Sequence, residues 1–264
     1  MKSTEYLRLT ESDDLQPKNL EELKEIIEDT IKEKGPNCDL NFIDTSKIVA
    51  MRRLFKDSEF NGDISEWDVS NVKDMFGMFQ DSEFNGDISK WDVSKVEDMS
   101  FMFYKSKFNG DISKLNVSNV RDMEYLFANS KFDGDISDWD VSKVEDMFEM
   151  FANSKFNGDI SKWDVRNVEN MEYMFANSNF NGDISKWNVS GVENMNCMFF
   201  KSKFNGDISE WNVSKVKNME SMFERSVFNR DISKWKTTSI KSCAGIFAKC
   251  PLLDKPRYQP KFNF

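Results

Sequence analysis

The chain holds 264 residues, 39% of them hydrophobic and 31% charged, with 36 basic side chains against 46 acidic ones. That balance describes a folded, water-soluble chain, and its net charge of −10 argues against a nucleic-acid partner, which calls for clustered Lys and Arg. There is no histidine, which removes the commonest general base and the most frequent zinc ligand together.

In chain order, Met1 to Leu15 is polar with charges of both signs and has no apolar core of a secretory signal. No later run is apolar enough to span a membrane, so no membrane span and a cytoplasmic location are expected. Asn19 to Lys34 predicts an amphipathic helix. Leu20, Leu23, Ile27 and Ile31 line one face, and Asn19 with Glu22 forms a capping box. Residues 1–38 are thus read as an N-terminal segment with a capping helix.

From Asp39 a repeat takes over. Phe60-Asn61-Gly62-Asp63-Ile64-Ser65 recurs with small variations from Phe84, Phe108, Phe132, Phe156, Phe180, Phe204 and Phe228, always 24 residues on. With Phe60 as position 1, position 5 is Ile and position 8 is Trp except at Leu115. Positions 10 and 13 are Val up to the last repeat, and positions 16, 19 and 20 read Met, Met, Phe, as in Met75, Met78 and Phe79. Trp67-Asp68-Val69 alternates as a short strand does, whereas Val72, Met75, Met78, Phe79 and Ser82 fall on one face of a helix. Ser94 with Glu97, Ser142 with Glu145 and Ser190 with Glu193 match capping boxes for that helix. Asn-Gly at the repeat boundary is expected to supply positive φ for a tight turn. Each unit is read as turn, short strand, short helix. One unit cannot bury its apolar face alone, so residues 39–250 predict about nine stacked coils with Trp and Met as core. Cys243, Ile246, Phe247 and Cys250 complete a diverged last helix that Pro251 ends, and residues 251–264 form a tail that covers the last coil or trails free. Cys38, Cys197, Cys243 and Cys250 form no CxxC pair and read as small buried hydrophobes in a reducing compartment, without disulfides.

The pattern FNGDIS-x-WDVS-x-V-x-DM-x-x-MF at Phe60 to Phe79 resembles the BspA-like, leucine-rich-repeat-related family of unknown function, DUF285, over roughly Pro17 to Cys250. The resemblance implies a leucine-rich-repeat-like solenoid and a role in adhesion or protein interaction. It implies a cell-surface or secreted setting too, since the family abounds in mycoplasma lipoproteins and other bacterial surface proteins. It brings no catalytic residues. This chain shows neither an export signal nor a lipobox cysteine.

Asp at position 4, from Asp63 to Asp231, forms a ladder that loosely resembles calcium-binding turns, although capping its own turn through backbone amides is the better reading. Asp or Asn at position 9, from Asp68 to Asn212, fits the same structural use. Eight equivalent copies of a carboxylate pair argue against an enzyme, because a catalytic site breaks repeat symmetry at one place. Lysines at position 7 (Lys90, Lys114, Lys162, Lys186, Lys234) and position 24 (Lys107, Lys131, Lys155, Lys203) read as solvated stripes. Aromatics at positions 17, 18 and 21 stand out: Phe76, Phe101, Tyr104, Tyr125, Phe148, Tyr173 and Phe200 track along consecutive repeats as candidate partner-binding residues, with packing between neighbouring repeats as the competing reading. The sequence therefore predicts an α/β solenoid that acts as a non-enzymatic protein-interaction scaffold without cofactor or metal. A surface adhesin-like binder of host protein or glycan and a calcium-stabilised structural repeat are the alternatives, and self-association is compatible with the first.

Overall fold

A computed structural model describes residues 15–262. The reading of the N-terminal segment lies, apart from Leu15, outside the described residues. Helix α1, Leu20–Lys34, forms where expected. Asn19 Oδ1 accepts the Glu22 amide at 3.0 Å, and the Glu22 carboxylate accepts the Lys18 amide, one residue before the cap. Gly35 at φ 87° ends the helix and donates to the Ile31 carbonyl, an arrangement that suits a residue without Cβ. Leu23, Ile26, Ile27 and Thr30 are buried, with Leu20 and Ile31 half-buried beside them. The cap is tied to the first coil through Leu15, which pairs in parallel with Ile43.

Beyond α1 the repeats stack in register. One residue per coil, Ala50, Asp74, Asp98, Asp122, Asp146, Asn170, Asn194, Asn218 and Ser242, forms an unbroken chain of parallel bridges. The amides at positions 16, 18, 20 and 22 donate to the following coil, as Met75, Gly77, Phe79 and Asp81 do to the carbonyls of Asp98, Ser100, Met102 and Tyr104 at 2.8–2.9 Å. The amide at position 14 donates the other way, as Glu97 does to Lys73.

The strand and helix expected inside each repeat do not form; among the described residues α1 is the only α-helix. Positions 16 to 23 are instead two consecutive four-residue turns. Met78 N–H donates to Met75 O, Ser82 N–H to Phe79 O, and the third residue of each turn has positive φ (Gly77 at 59°, Asp81 at 53°). Two such turns bring positions 16, 19, 20 and 23 inward, the same set a helical face would select, which is why the spacing imitates a helix. A helix would also consume the amides that here bridge coils. The capping-box reading fails with it: the Ser94 amide is held by Asp92 Oδ1 at 3.0 Å, in an Asx turn at position 9. The boundary Asn-Gly glycines do not carry positive φ either. They are small for space, since a Cβ on Gly158 would sit 2.9 Å from the Phe156 ring.

The core consists of columns. Phe127 stacks on Phe132 at 4.2 Å and on Phe151 in the next coil at 5.8 Å. Each Trp is almost fully buried and donates its indole N–H to a carbonyl one coil back, as Trp139 does to Ile112 O at 3.0 Å. That bond explains Trp in a column where Leu115 alone departs. The tail covers part of the last coil. It forms two short 3-10 segments, Pro251–Asp254 and Pro256–Tyr258, buries Leu252, and accepts Ile232 N–H at Tyr258 O and Thr237 Oγ1–H at Lys261 O. All four cysteines are free thiols; Cys38, Cys197 and Cys250 are buried and Cys243 is half-buried.

Candidate aromatic and acidic strip

The double turn at positions 16 to 23 aims positions 15, 17, 18 and 21 at one side of the stack. All seven candidate aromatics lie there, and all are half-buried. Six of them form a continuous row. Phe76 meets Phe101 at 5.3 Å and Phe101 stacks on Tyr125 at 4.4 Å. Tyr104 meets both Phe101 and Tyr125 edge-on, Tyr125 meets Phe148 at 5.0 Å, and Phe148 meets Tyr173 at 6.4 Å. Phe200 stands apart with Lys201 over its ring. Packing between repeats and partial exposure therefore coexist in the same side chains. Phe101, Tyr125 and Tyr173 hold positive φ of 53–59°, a conformation that costs a bulky residue roughly 1–2 kcal/mol.

Beside the rings runs a column of carboxylates that sequence reasoning passed over. Asp74, Asp98, Asp122 and Asp146 occupy position 15 in four consecutive coils, and Glu124 at position 17 stands among them. In each, Oδ1 caps the turn by accepting the amide two residues on, as Asp122 does from Glu124 at 2.9 Å. Arg52 pairs with Asp74 at 2.5 Å and reaches Asp98 at 3.7 Å while lying over the Phe76 ring. Among the described residues, no Lys or Arg comes within 4.0 Å of Asp122, Glu124 or Asp146. Burial is the first cause that raises the Asp98 and Asp146 carboxyls. Glu124 is pushed up to about 7 by burial and then by Asp122, Asp146 and Asp98. Glu149 is raised by burial against the opposing hydrogen bond from Tyr125 Oη–H at 3.1 Å, and Tyr125 is itself raised by burial and by Glu149. Tyr173 rises to about 12 through its bond with Cys197 and burial. The available signal was the change in position 15 from Asp to Asn at Asn170, which nothing in the core requires.

The position-4 aspartates are occupied locally. Each position-4 aspartate accepts the amide two residues on, as Asp135 does from Ser137 at 2.9 Å, and those bonds lower its pKa. Among the described residues, no cluster of three or more acidic or thiol groups is arranged to hold a metal ion. In the lysine stripes Lys90 pairs with Glu66 and Lys114 with Asp138 across coils, both at 3.3 Å, and Lys107 and Lys234 pair similarly, whereas Lys131, Lys155, Lys162, Lys186 and Lys203 have no carboxylate within 4.0 Å among the described residues. A shallow basic depression of about 360 Å³ is lined by Lys73, Lys95, Arg121 and Lys143. It is internally satisfied, with Arg121 on Glu145 at 2.5 Å and Lys95 on Asn71 at 2.7 Å.

The columns, the register and the strip define a protein of stacked 24-residue repeats. The family described as "Mycoplasma protein of unknown function, DUF285" matches residues 22–131, 84–179, 106–201 and 176–260, and the chain belongs to that family. No curated protein and no solved structure matches it. No helix among the described residues is long and apolar enough to cross a membrane.

Proposed function

We propose that the chain is a leucine-rich-repeat-like solenoid, with turns in place of the repeat helix, that acts without catalysis or cofactor as a binding scaffold. Its ligand is a protein segment bearing basic and apolar side chains, laid across the coils on the strip. The observation that carries this reading is the coincidence of the two columns. Aromatics and position-15 aspartates share the four coils of Phe76, Phe101, Tyr125 and Phe148, Asp122, Glu124 and Asp146 there lack a cation among the described residues, and the row of rings ends one coil later at Tyr173, where position 15 is already Asn170. Half-exposed rings give contact area at low entropy cost, and adjacent carboxylates select cations. An adhesin-like role would use the same surface with a partner outside the cell.

The test is affinity capture with purified protein, followed by quantitative binding of the captured partner. Phe101→Ser, Tyr125→Ser and Tyr173→Ser together, or Asp122→Asn with Glu124→Gln and Asp146→Asn, are each expected to weaken binding by at least about tenfold while the fold persists. Unchanged binding by both sets ends this reading.

A further inference from the structure

The two ends of the stack carry opposite charge. Helix α1 has six acidic and three basic residues, and Glu21, Glu25 and Glu28 stand on its exposed side, away from the buried Leu23, Ile26 and Ile27. Their spacing forms a carboxylate row about 10 Å long, with Lys24 beside it at 3.9 Å from Glu21. From Arg225 to Lys261 the balance reverses, with nine basic residues against two acidic ones in a chain whose total is −10. Elsewhere some exposed cations meet a carboxylate from the adjacent coil, as Lys90 and Lys217 do, whereas Lys131, Lys155, Lys162, Lys186, Lys203 and Lys215 stand apart from one among the described residues without being gathered at one end. At the C-terminal end, Lys236, Lys241, Lys249, Lys255, Arg257 and Lys261 are exposed, and none has a carboxylate within 4.0 Å among the described residues.

A second observation lies in the backbone. The amides at positions 16, 18, 20 and 22 of the earlier coils donate to the coil that follows. In the last coil these are the N–H groups of Cys243, Gly245, Phe247 and Lys249, and no acceptor meets them among the described residues. Tyr258 O and Lys261 O of the tail meet Ile232 and Thr237, which lie on another arc. The C-terminal end therefore offers four aligned amide donors within a cationic rim, a surface that favours carboxylates.

We propose that copies of this chain associate head to tail, the acidic outer face of α1 in one copy seating on the basic C-terminal end of the next. Both halves of the contact are on one chain and are different surfaces, so the contact is heterologous and grows open rows unless the rotation between copies closes a ring. One coil's cross-section is a small area, so the association is weak and ionic. It is independent of the aromatic strip, which runs along the side.

Sedimentation velocity and light scattering of the whole chain test this. The weight-average mass rises with concentration at about 0.02 M salt, and association weakens by about tenfold or more at about 0.5 M. A head variant (Glu21→Lys, Glu25→Lys, Glu28→Lys) and a tail variant (Lys249→Glu, Lys255→Glu, Arg257→Glu) are each monomeric alone. Mixed, they associate again, because the head variant keeps the basic end and the tail variant the acidic one, and the two reversed ends are complementary in charge as well. Circular dichroism melting verifies that both keep the fold, and should either fail to fold, competition of wild-type association by polyglutamate replaces it. The proposal is overturned by a wild type that stays monomeric at low salt, by association that survives either charge reversal, or by a mixture of the two that stays monomeric. A monomeric wild type that binds polyglutamate assigns the basic end to an acidic partner instead of a second copy.

Discussion

Position 15 does the same backbone work in both halves of the stack with different side chains. From Asp74 to Asp146 it is a carboxylate, and from Asn170 to Asn218 an amide, yet Oδ1 accepts the amide two residues on throughout: 3.0 Å at Asp74, 2.8 Å at Asp146, 3.1 Å at Asn170 and 3.0 Å at Asn218. The amides also neutralise their surroundings. Asn170 donates to Asp146 at 3.1 Å, while Asn194 and Asn196 both donate to Glu172, at 2.7 and 2.6 Å. The fold is served as well by Asn, so the four aspartates carry charge the turn does not need. Asp122 and Asp146 hold that charge with no cation within 4.0 Å among the described residues, beside a row of rings, which supports the proposed binding role of the strip.

If that is right, the cores of the two halves are equivalent, and the largest effects fall equally on both. Phe127 in the acidic half and Phe199 in the amide half are fully buried at position 20, each stacked above and below. Phe127→Ala and Phe199→Ala are each expected to cost about 3–5 kcal/mol in denaturant unfolding, and to match within about 1 kcal/mol. A large inequality would mean that the halves differ inside as well as outside, and the surface argument would lose its basis.

The next effect separates them. Glu124 has a folded-state pKa near 7, above its ordinary value, so it favours the folded state at low pH and that contribution is lost as pH rises through about 7. Asp98 and Asp146 are raised as well and act in the same direction at lower pH. The position-4 aspartates run opposite, their lowered values adding stability above the unfolded carboxyl range and losing it in strong acid. Between about pH 5 and pH 8 the wild type should therefore lose stability by about 1 kcal/mol, a figure reduced for solvent screening at a half-exposed site. Asp98→Asn, Glu124→Gln and Asp146→Asn combined should flatten that slope and stabilise the chain at pH 8, as followed by melting across the pH series. A slope unchanged in the triple variant places the titration elsewhere and removes the electrostatic half of the comparison.

The parts of this that the sequence disclosed were the columns repeated from coil to coil and the one amphipathic helix before them. The inward columns, α1 with its Asn19 cap and the family follow from spacing and residue type alone. The helix at positions 13 to 23 did not survive, because two four-residue turns bury the same positions, and only the destination of the backbone amides tells them apart. The local hints were column 22, with Asn129, Asn153 and Asn177 in the left-handed region, and column 18, with Gly77 and Gly245 there, since asparagine and glycine tolerate it better than most residues. The aromatic row was visible as a pattern, although its half-buried state was not, since exposure depends on how far each coil is set back from the next. The carboxylate column went unseen because Asp and Asn read alike as turn residues until the missing cations are in view.

Leu115 offers the smallest and cleanest probe of whether the acidic half is packed like the other. It stands in the Trp column between Trp91 and Trp139, where no indole donates to the Ile88 carbonyl as its neighbours do one coil back, Trp91 to Ile64 and Trp139 to Ile112. In the amide half the column is complete, and Trp163 with Trp187 and Trp211 with Trp235 stack at 6.5 and 6.4 Å. If the coils are equivalent, Leu115→Trp restores one indole hydrogen bond and one stacked ring, and should stabilise the chain by about 1 kcal/mol in urea unfolding. If it destabilises instead, the coils around Leu115 are drawn too close to admit an indole. The Phe101–Tyr125 stack at 4.4 Å on the same pair of coils would then be under tension from the core, and the strip's geometry would be set by packing rather than by a ligand.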